Sequence, residues 1–360
     1  MMNDAEAQEL AGFVKSAFAT QLIEAMPEPA VLVAADGRAA AANGPSLRLL
    51  PGLKVGDALV LALRAPDVVD AWRRVMASGE TETVQWSERV PVERLFDVTV
   101  APLSTPGGKV IATLLTLRDL TELRRAERMR VDFVANASHE LRTPLASLLG
   151  FIETLQGSAR EDAKARDRFL KIMREQGRRM ARLIEDLLSL SRIEQKEHLR
   201  PEAVVDLAQT TRSVIDSLSP MAADLGVEIR VSAAEPVLVM GDRDELVRVA
   251  ENLIENAIKY GIRPDAENGR LVEVAVAATD KKATLSVRDH GHGIAPEHLP
   301  RLTERFYRID AGQSRAKNGT GLGLAIVKHI LTRHRGKLTI NSRVNQGSCF
   351  VASVPLRLDQ

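Results

Sequence analysis

The spacing of apolar positions changes twice along the chain and predicts three structural segments. In the first segment, apolar and polar residues alternate over short runs that Gly and Pro interrupt, a pattern typical of β-strands. The main runs are EPAVLVAADGRAAAANGPSLRLL, TVQWSERV, RLFDVTVAPL and GGKVIATLLTLRDL. A helical stretch, PDVVDAWRRVMASG, lies among them, and an amphipathic lead-in occupies residues 1 to 25. We expect a small α+β domain here.

From Leu120 onwards, apolar residues recur every three or four positions with Arg and Glu between them, which predicts one long helix. A second long helix follows the short segment QGSARED. The apolar stripes comprise Leu123, Ala126, Met129, Phe133, Ala137, Leu141, Leu145 and Leu148 on the first helix, and Phe169, Ile172, Met173, Met180, Leu183, Leu187, Leu190 and Ile193 on the second. Such an antiparallel hairpin lacks a core of its own, so we expect it to dimerise into a four-helix bundle.

The dipeptide Arg200-Pro201 ends the helical segment, because proline disfavours helix in the residue before it. Beyond it, strand-like and helix-like runs alternate, which predicts an α/β domain. The strand-like runs are VEIRVSA, LVEVAVAA, ATLSVRD, GKLTINS and CFVASVPL, and the helix-like ones are DELVRVAENLIENAIKYG and GLGLAIVKHILTRH. The predicted domains are therefore residues 1–117, 118–199 and 200–360.

Composition narrows the kinds of partner and compartment. The 360 residues carry a net charge of +1, which argues against a dominant nucleic-acid or anionic membrane surface. The single cysteine, Cys349, excludes an intrachain disulfide framework and suits a reducing compartment. No apolar window is long enough to span a bilayer, and the first residues lack the features of a signal peptide. We expect a cytoplasmic protein, either soluble or the soluble part of an anchored one.

The stretch NASHELRTPL places His139 beside Glu140 on the first long helix. Thr143 shares the histidine's helical face, and Pro144 removes a backbone hydrogen bond and predicts a kink. A neutral imidazole is a nucleophile at pH 7, and a neighbouring carboxylate can hold the proton of its other nitrogen. The alternative for a lone His-Glu pair is a solvated helix surface.

The segment ENLIENAIKY predicts a polar helix face. Asn252 and Asn256 lie one turn apart, and Lys259 with Tyr260 follows one turn later. Carboxamide oxygens suit Mg²⁺ that bridges phosphates, and a lysine offers those phosphates a positive charge. Two asparagines on a helix can equally be exposed polar positions.

Two glycine-containing loops follow. In DHGHGI, Gly291 and Gly293 permit a tight turn after a strand, and Asp289 can accept a hydrogen bond from an exocyclic amine. In NGTGLGLAIVKHI, glycines open a helix whose N-terminal amides can bind phosphate, and its loop comprises Gly319, Thr320, Gly321, Leu322 and Gly323. The i,i+2 pair His290 and His292 is a poor metal site. The polar segment DAGQSRAKNG before the second loop predicts a mobile lid.

The segments NASHELRTPL, ENLIENAIKY, DHGHGI, ERFYRID and NGTGLGLAIVKHI follow one another along the chain. In this order they resemble the H, N, G1, F and G2 boxes of HisKA-type sensor histidine kinases, which carry a Bergerat-fold ATPase domain. The resemblance covers residues 120 to 358, with FVANASHELRTPLASL as its H-box. It implies that His139 accepts phosphate on Nε2 and that Glu140 is its acid/base partner. Thr143 would position water during dephosphorylation of the partner. Within the family, DFVANASHELRTPLASLLGFIETL and RLIEDLLSLSRIE look most like the phosphate-regulon sensor kinases.

The same resemblance assigns the nucleotide site. Asp289 would read adenine, and Asn252, Asn256, Lys259 and the second glycine loop would bind ATP with Mg²⁺. In ERFYRID, Phe306 and Arg308 match the F-box; the alternative is a hydrophobic contact with a solvated arginine. Near the end, NQGSCF resembles the last glycine box, with Asn345 where a first glycine is common.

The first domain resembles a PAS domain that leaves through Asp119-Leu120-Thr121 into a signalling helix. Residues 1 to 138 contain neither His nor Cys, which excludes a His- or Cys-ligated haem and a cysteinyl flavin adduct there. Trp72 and Trp86 could line a small-molecule pocket or belong to the core or to an interface. The signal itself is not readable from the sequence.

The resemblance predicts a homodimeric kinase that phosphorylates His139 from ATP and passes the phosphoryl group to an aspartate of a separate response regulator. Arg308 and Mg²⁺ would stabilise the transferring group. Two other functions are open to proteins with the same kinds of domain. One is an ATPase of the same superfamily that drives conformational change, although such proteins lack an upstream histidine helix. The other is a scaffold or phosphatase with little kinase activity, against which the intact Asn256 and glycine loops argue.

Overall fold

The structure is a computed structural model that describes residues 17–88, 94–157, 159–233, 236–266, 268–279, 281–309 and 319–356. It divides into two compact units, Met1–Asp132 and Phe133–Gln360. Nearly all of the predicted lid and most of the amphipathic lead-in lie outside the described residues. The predicted domain boundaries remain predictions.

The N-terminal unit is an α+β domain, as expected. Its antiparallel five-stranded sheet has the strand order β2-β1-β5-β4-β3. The elements are α1 (Ala17–Glu24), β1 (Ala30–Ala34), β2 (Ala39–Ala42), α2 (Gly44–Leu49), α3 (Leu59–Ala62), α4 (Pro66–Ser78), β3 (Glu82–Glu88), β4 (Arg94–Ser104) and β5 (Val110–Asp119). Alternating residues of β4 and β5 are buried, so one face of the sheet packs on α4 and carries the main core of this unit.

The predicted hairpin consists of α5 (Thr121–Gln156) and α6 (Ala163–Gln195). Asp162 caps α6 by accepting a hydrogen bond from the Ala165 amide. The helix α5 continues through Pro144, which is buried. Near the connection, the rings of Phe151 and Phe169 stack with centroids 5.1 Å apart and join the two helices.

The C-terminal α/β domain contains a five-stranded sheet of order β11-β12-β10-β9-β7, in which only the described pair β7·β9 is parallel. Three helices cover one face of this sheet, and β6 pairs with β8 beside it. The elements are β6 (Val204–Asp206), α7 (Leu207–Asp224), β7 (Glu228–Ser232), β8 (Leu238–Met240), α8 (Arg243–Tyr260), β9 (Leu271–Ala278), β10 (Lys282–Asp289), α9 (Gly323–Arg333), β11 (Lys337–Ser342) and β12 (Ser348–Pro355).

The apolar stripe of the hairpin is covered only in part. On α6, Leu183, Leu190 and Ile193 are buried in one core together with the helices of the α/β domain. Other large apolar side chains of the hairpin stay exposed: Leu145, Leu149, Ile152, Leu170, Ile184 and Leu188. The α/β domain is therefore packed on α6, and the remaining apolar surface faces away from that core. Within the described part of the chain, no helix has both the length and the apolar character needed to cross a membrane.

Candidate active site

The predicted phosphoacceptor His139 lies exposed on α5. One position later, the carboxylate of Glu140 accepts hydrogen bonds from two arginines. Arg179 of α6 donates at 2.9 Å, and Arg308 donates at 3.1 Å from Nη2. The hydroxyl of Thr143 donates to the His139 carbonyl one turn earlier, at 3.2 Å. The glutamate is thus held between the two helices and the α/β domain.

Arg308 connects the histidine helix to the second glycine loop. Its Nη2 donates both to Glu140 and to the Gly319 carbonyl, the latter at 2.6 Å. Its side chain is only 8% exposed. Phe306 lies in the left-handed region, with φ of 64°, and its amide donates to the Gly321 carbonyl. Its ring packs against Phe133 of α5, with centroids 5.8 Å apart. The predicted F-box residues therefore contact both the helix and the loop.

The predicted polar face lies on α8, which Asp242 caps through the amides of Asp244 and Glu245. Asn252 donates from Nδ2 to the Arg248 carbonyl, and its Oδ1 lies where a Cβ on Gly323 would have to go. Asn256 is half-buried, and its carboxamide makes no hydrogen bond with the residues that the structure describes.

The structure adds one contact at the basic end of this helix. Lys259 forms an ion pair with Glu255 on the same helix, with Nζ and Oε1 2.6 Å apart. Its positive charge is therefore already paired within α8. Tyr260, the last residue of α8, is 37% exposed and is followed by Gly261, which caps the helix end.

Asp289 ends β10 and is buried, with 6% of its surface exposed. Its Oδ1 accepts hydrogen bonds from the amides of Gly291 and Ser348, at 2.9 and 3.2 Å. No described residue donates to Oδ2. Burial raises the pKa of Asp289 above its usual value, although the two backbone hydrogen bonds oppose the shift. The arrangement fixes one carboxylate oxygen, whereas the other has no donor among the described residues.

Close backbone approaches bring the glycine motifs to this carboxylate. Gly291 lies against the backbone of Gly261 at the end of α8, so a side chain there would collide. Gly347, in the last glycine box, lies still closer to the Asp289 carbonyl and has φ of 78°. Asn345 has φ of 62°, a conformation that asparagine tolerates better than most residues. Asn345 therefore adopts a left-handed conformation that glycine also favours.

The second glycine loop opens α9. Gly321 has φ of 74° and touches Phe306, while Leu322 is fully buried. No described side chain caps this helix, so none of the described side chains occupies its first amides. The Thr320 hydroxyl accepts a hydrogen bond from the Leu322 amide at 3.3 Å and donates its hydrogen to Asp186 at 2.8 Å. The groups of this loop that suit a phosphate are therefore the uncapped helix amides.

The first glycine loop contains no metal cluster. His290 hydrogen-bonds Glu273 at 3.0 Å, His292 is exposed, and Gly293 has φ of 66°. Across the described ranges, no group of three or more His, Cys, Asp or Glu side chains could hold a metal ion.

Three family matches cover most of the chain. Residues 241–358 match the histidine kinase-, DNA gyrase B- and HSP90-like ATPases, and residues 129–196 match the His Kinase A phosphoacceptor domain. Residues 23–125 match the PAS fold. The chain belongs to the sensor histidine kinases. The matched segments follow the order expected from the sequence motifs, so the prediction of this family is confirmed.

Relatives of this sensor histidine kinase include the phosphate regulon sensor protein PhoR of Pseudomonas aeruginosa. It is 42% identical over 66% of this chain and 52% of its own length. The sensor protein kinase WalK of Staphylococcus saprophyticus is 36% identical over 69% of this chain and 40% of its own length. The chain therefore spans about half the length, or less, of these curated relatives. Among solved structures, a complex of histidine kinase ThkA with response regulator protein TrrA is 20% identical, with a TM-score of 0.48, and covers 93% of this chain and 98% of that one.

Several residues around the site of this kinase were not assigned a site role from the sequence. The contacts between the hairpin and the α/β domain involve Phe133, Asp186, Glu194, Arg248 and Arg305, and Arg179 joins α6 to Glu140 of α5. Arg305, for example, donates to Glu194 at 2.6 Å and lies over the ring of Phe133. Each such residue looks like ordinary helix surface or core in the sequence, because its partner lies far away along the chain.

Proposed function

We propose that this sensor histidine kinase uses ATP to phosphorylate His139. The observation that carries the proposal is the position of Arg308, whose guanidinium contacts Glu140 beside the histidine and the carbonyl of Gly319 in the glycine loop. A cation at this point lies between the acceptor helix and the phosphate-binding amides. It can stabilise negative charge on a phosphoryl group that moves from one to the other.

In the proposed reaction, Nε2 of His139 attacks the γ-phosphorus of ATP in line. The N–P bond forms while the bond to the β-phosphate oxygen breaks, so that ADP leaves. Glu140 stabilises the imidazolium by accepting a hydrogen bond from its remaining N–H. Asp289 would bind the exocyclic amine of adenine through Oδ2, and the first amides of α9 would bind phosphate oxygens.

Magnesium is part of this proposal. The half-buried carboxamide of Asn256, which makes no hydrogen bond with described residues, offers the hard oxygen donor that Mg²⁺ prefers, and it lies one turn from Asn252. Asn256 would therefore hold the ion together with the phosphates. When bound, the ion neutralises charge on the phosphate oxygens.

We further propose that residues 1–117 form the sensor domain, 118–199 the signalling helix and phosphotransfer hairpin, and 200–360 the ATP-binding domain. The exposed apolar residues of the hairpin support a homodimer, because pairing two hairpins would cover them. The phosphoryl group would then pass to an aspartate of a response regulator. The likeness to PhoR favours a role in phosphate-starvation signalling. Thr143 would position water in a phosphatase reaction on the same regulator.

Incubation with γ-labelled ATP tests the proposal. Acid-labile label should appear on the full chain and should vanish in His139→Gln. The matched control is His198→Gln, because His198 is an exposed histidine at the end of the hairpin that contacts no predicted site residue. Label that survives in His139→Gln, or ATP hydrolysis with no labelled chain, would instead favour the conformational ATPase. Phosphotransfer profiling against candidate receiver domains would identify the partner.

A further inference from the structure

Asp186 lies on α6 in the segment RLIEDLLSLSRIE, for which no site role was predicted, and its two carboxylate oxygens contact different partners. Its Oδ1 accepts a hydrogen bond from Nη2 of Arg248 at 2.6 Å. Its Oδ2 accepts one from the hydroxyl of Thr320 at 2.8 Å. The side chain is only 20% exposed, so water screens these contacts less than it would at the surface.

The two partners belong to two different elements that are proposed to bind ATP. Arg248 lies on α8 one turn before Asn252, and its carbonyl accepts the hydrogen bond from the Asn252 amide. Thr320 lies in the glycine loop, and its oxygen accepts a hydrogen bond from the Leu322 amide. One carboxylate on α6 therefore holds both the polar helix and the phosphate loop, while itself lying outside the residues proposed to touch ATP.

The neighbouring residues Gly319 and Thr320 are attached to both helices of the hairpin. Gly319 is joined to α5 through Arg308 and Glu140, and Thr320 is joined to α6 through Asp186. Two attachments on adjacent residues fix both the position and the orientation of the loop relative to the helix that carries His139. Misplacement of reacting groups by about 1 Å can lower a rate about 100-fold.

Building on the proposed kinase reaction, we propose that Asp186 is a positioning residue. Its two hydrogen bonds hold the proposed ATP-binding elements in place relative to His139. It sets the geometry of phosphoryl transfer and not the affinity for ATP. Removing its charge should therefore slow autophosphorylation and leave the KM for ATP unchanged. A residue that only maintained the fold of the ATP-binding domain would change both quantities.

The test uses Asp186→Asn in the full chain. Asparagine preserves the shape and can still accept from Thr320, but it lacks the charge that Arg248 contacts. We expect kcat for autophosphorylation to fall about 10-fold or more with KM unchanged within about 2-fold. The matched control is Glu185→Gln, because Glu185 is 66% exposed and lies 3.9 Å from Arg248. It should retain wild-type kinetics.

A double-mutant cycle separates positioning from damage to the fold. Because Asp186 contacts Arg248, the double variant Asp186→Asn with Arg248→Gln should lose less rate than the two single variants lose together. Additive losses would overturn the proposal. So would an Asp186→Asn variant that raises KM while kcat is intact, or a Glu185→Gln variant that is equally slow.

A second readout does not depend on activity. Glu194→Cys and Arg305→Cys, introduced with Cys349→Ser, replace a contact pair between α6 and the α/β domain. A short bismaleimide should crosslink them within one chain, and Asp186→Asn should reduce the yield. If the chain does not autophosphorylate at all, the proposed function is wrong. The crosslinking experiment still tests whether Asp186 holds the α/β domain against α6. A crosslink yield that Asp186→Asn leaves unchanged would refute the positioning role.

Discussion

Acidification is expected to destabilise the C-terminal unit through His334, a buried imidazole at the end of α9. Its Nε2 accepts a hydrogen bond from the Asp242 amide at 3.0 Å, and its Nδ1 donates to the Ile330 carbonyl at 2.8 Å. The ring is 1% exposed. This pair of contacts fixes a neutral tautomer, because a proton on Nε2 would leave the Asp242 amide without an acceptor. Burial lowers the pKa of His334 below its ordinary value, and the nearby Arg333 lowers it further.

The expected magnitude follows from proton linkage. In the unfolded chain the histidine titrates near its ordinary pKa of about 6.5, while in the folded chain it stays neutral to lower pH. Its contribution is therefore fully present above about pH 6.5 and is lost as the pH falls toward the folded-state pKa. Between about pH 7.5 and about pH 5.5 the loss reaches at most about 1.4 kcal/mol. Burial raises the pKa values of Asp289, Glu245 and Glu251, so these carboxylates act in the opposite direction.

A comparison with His334→Gln isolates the histidine, since glutamine does not titrate. Hydrogen exchange on peptides from α8 and α9, corrected for the effect of pH on intrinsic rates, gives the opening free energy at each pH. The opening free energy of the wild type should exceed that of His334→Gln at neutral pH, and this difference should shrink by up to about 1.4 kcal/mol on acidification. His198→Gln, which removes an exposed histidine, should show no such change. A difference in opening free energy that stays constant between about pH 7.5 and about pH 5.5 would refute the claim that His334 is buried as a neutral imidazole.

Three further predictions concern the nucleotide site, the last glycine box and the dimer. Asp289→Asn should weaken ATP binding about 10-fold or more by calorimetry, because hydrogen bonds to charged groups contribute roughly 1.5–3 kcal/mol; an unchanged Kd would contradict adenine recognition by this residue. Asn345→Val should lower the free energy of unfolding by about 1–2 kcal/mol in urea, whereas Asn345→Gly should not; equal effects would exclude backbone strain as the cause. Leu149→Asp should produce monomers in light scattering, and a persistent dimer would exclude this face from the interface.

The sequence predicts most of the fold, because its periodicity is a local property. The alternating runs correspond to strands of both sheets, and the three-to-four spacing after Leu120 corresponds to α5 and α6. Helix α7 was missed, since Thr, Ser and the internal Pro220 weaken its helical pattern. The one strong local signal for this helix was Asp206, whose side chain accepts hydrogen bonds from the amides of Ala208 and Gln209.

The site is predictable to the extent that its chemistry is contained in short motifs. Asp289, the glycine loops and the histidine helix lie where the motifs indicated, and the family matches agree with that order. For Lys259, the sequence indicates an ion pair on its own helix in addition to the predicted contact with phosphate. Glu255 precedes it by four residues, the spacing at which opposite charges pair on a helix, and the ion pair forms. A basic residue near a phosphate site therefore has to be weighed against its own helical neighbours.

What the sequence could not provide is the set of contacts that joins the motifs into one site. Glu140 and Arg308 are 168 positions apart, and Asp186 and Thr320 are 134 apart. Motifs indicate roles for Glu140, Arg308 and Thr320 but not their contacts, and Asp186 resembles solvated surface, because no periodicity relates a helix residue to a loop in a different domain. These contacts matter because they are partly buried. An exposed ion pair contributes little to stability, whereas water and salt screen a half-buried ion pair much less. Variants at these positions should therefore affect the rate of phosphoryl transfer more than the stability of either domain.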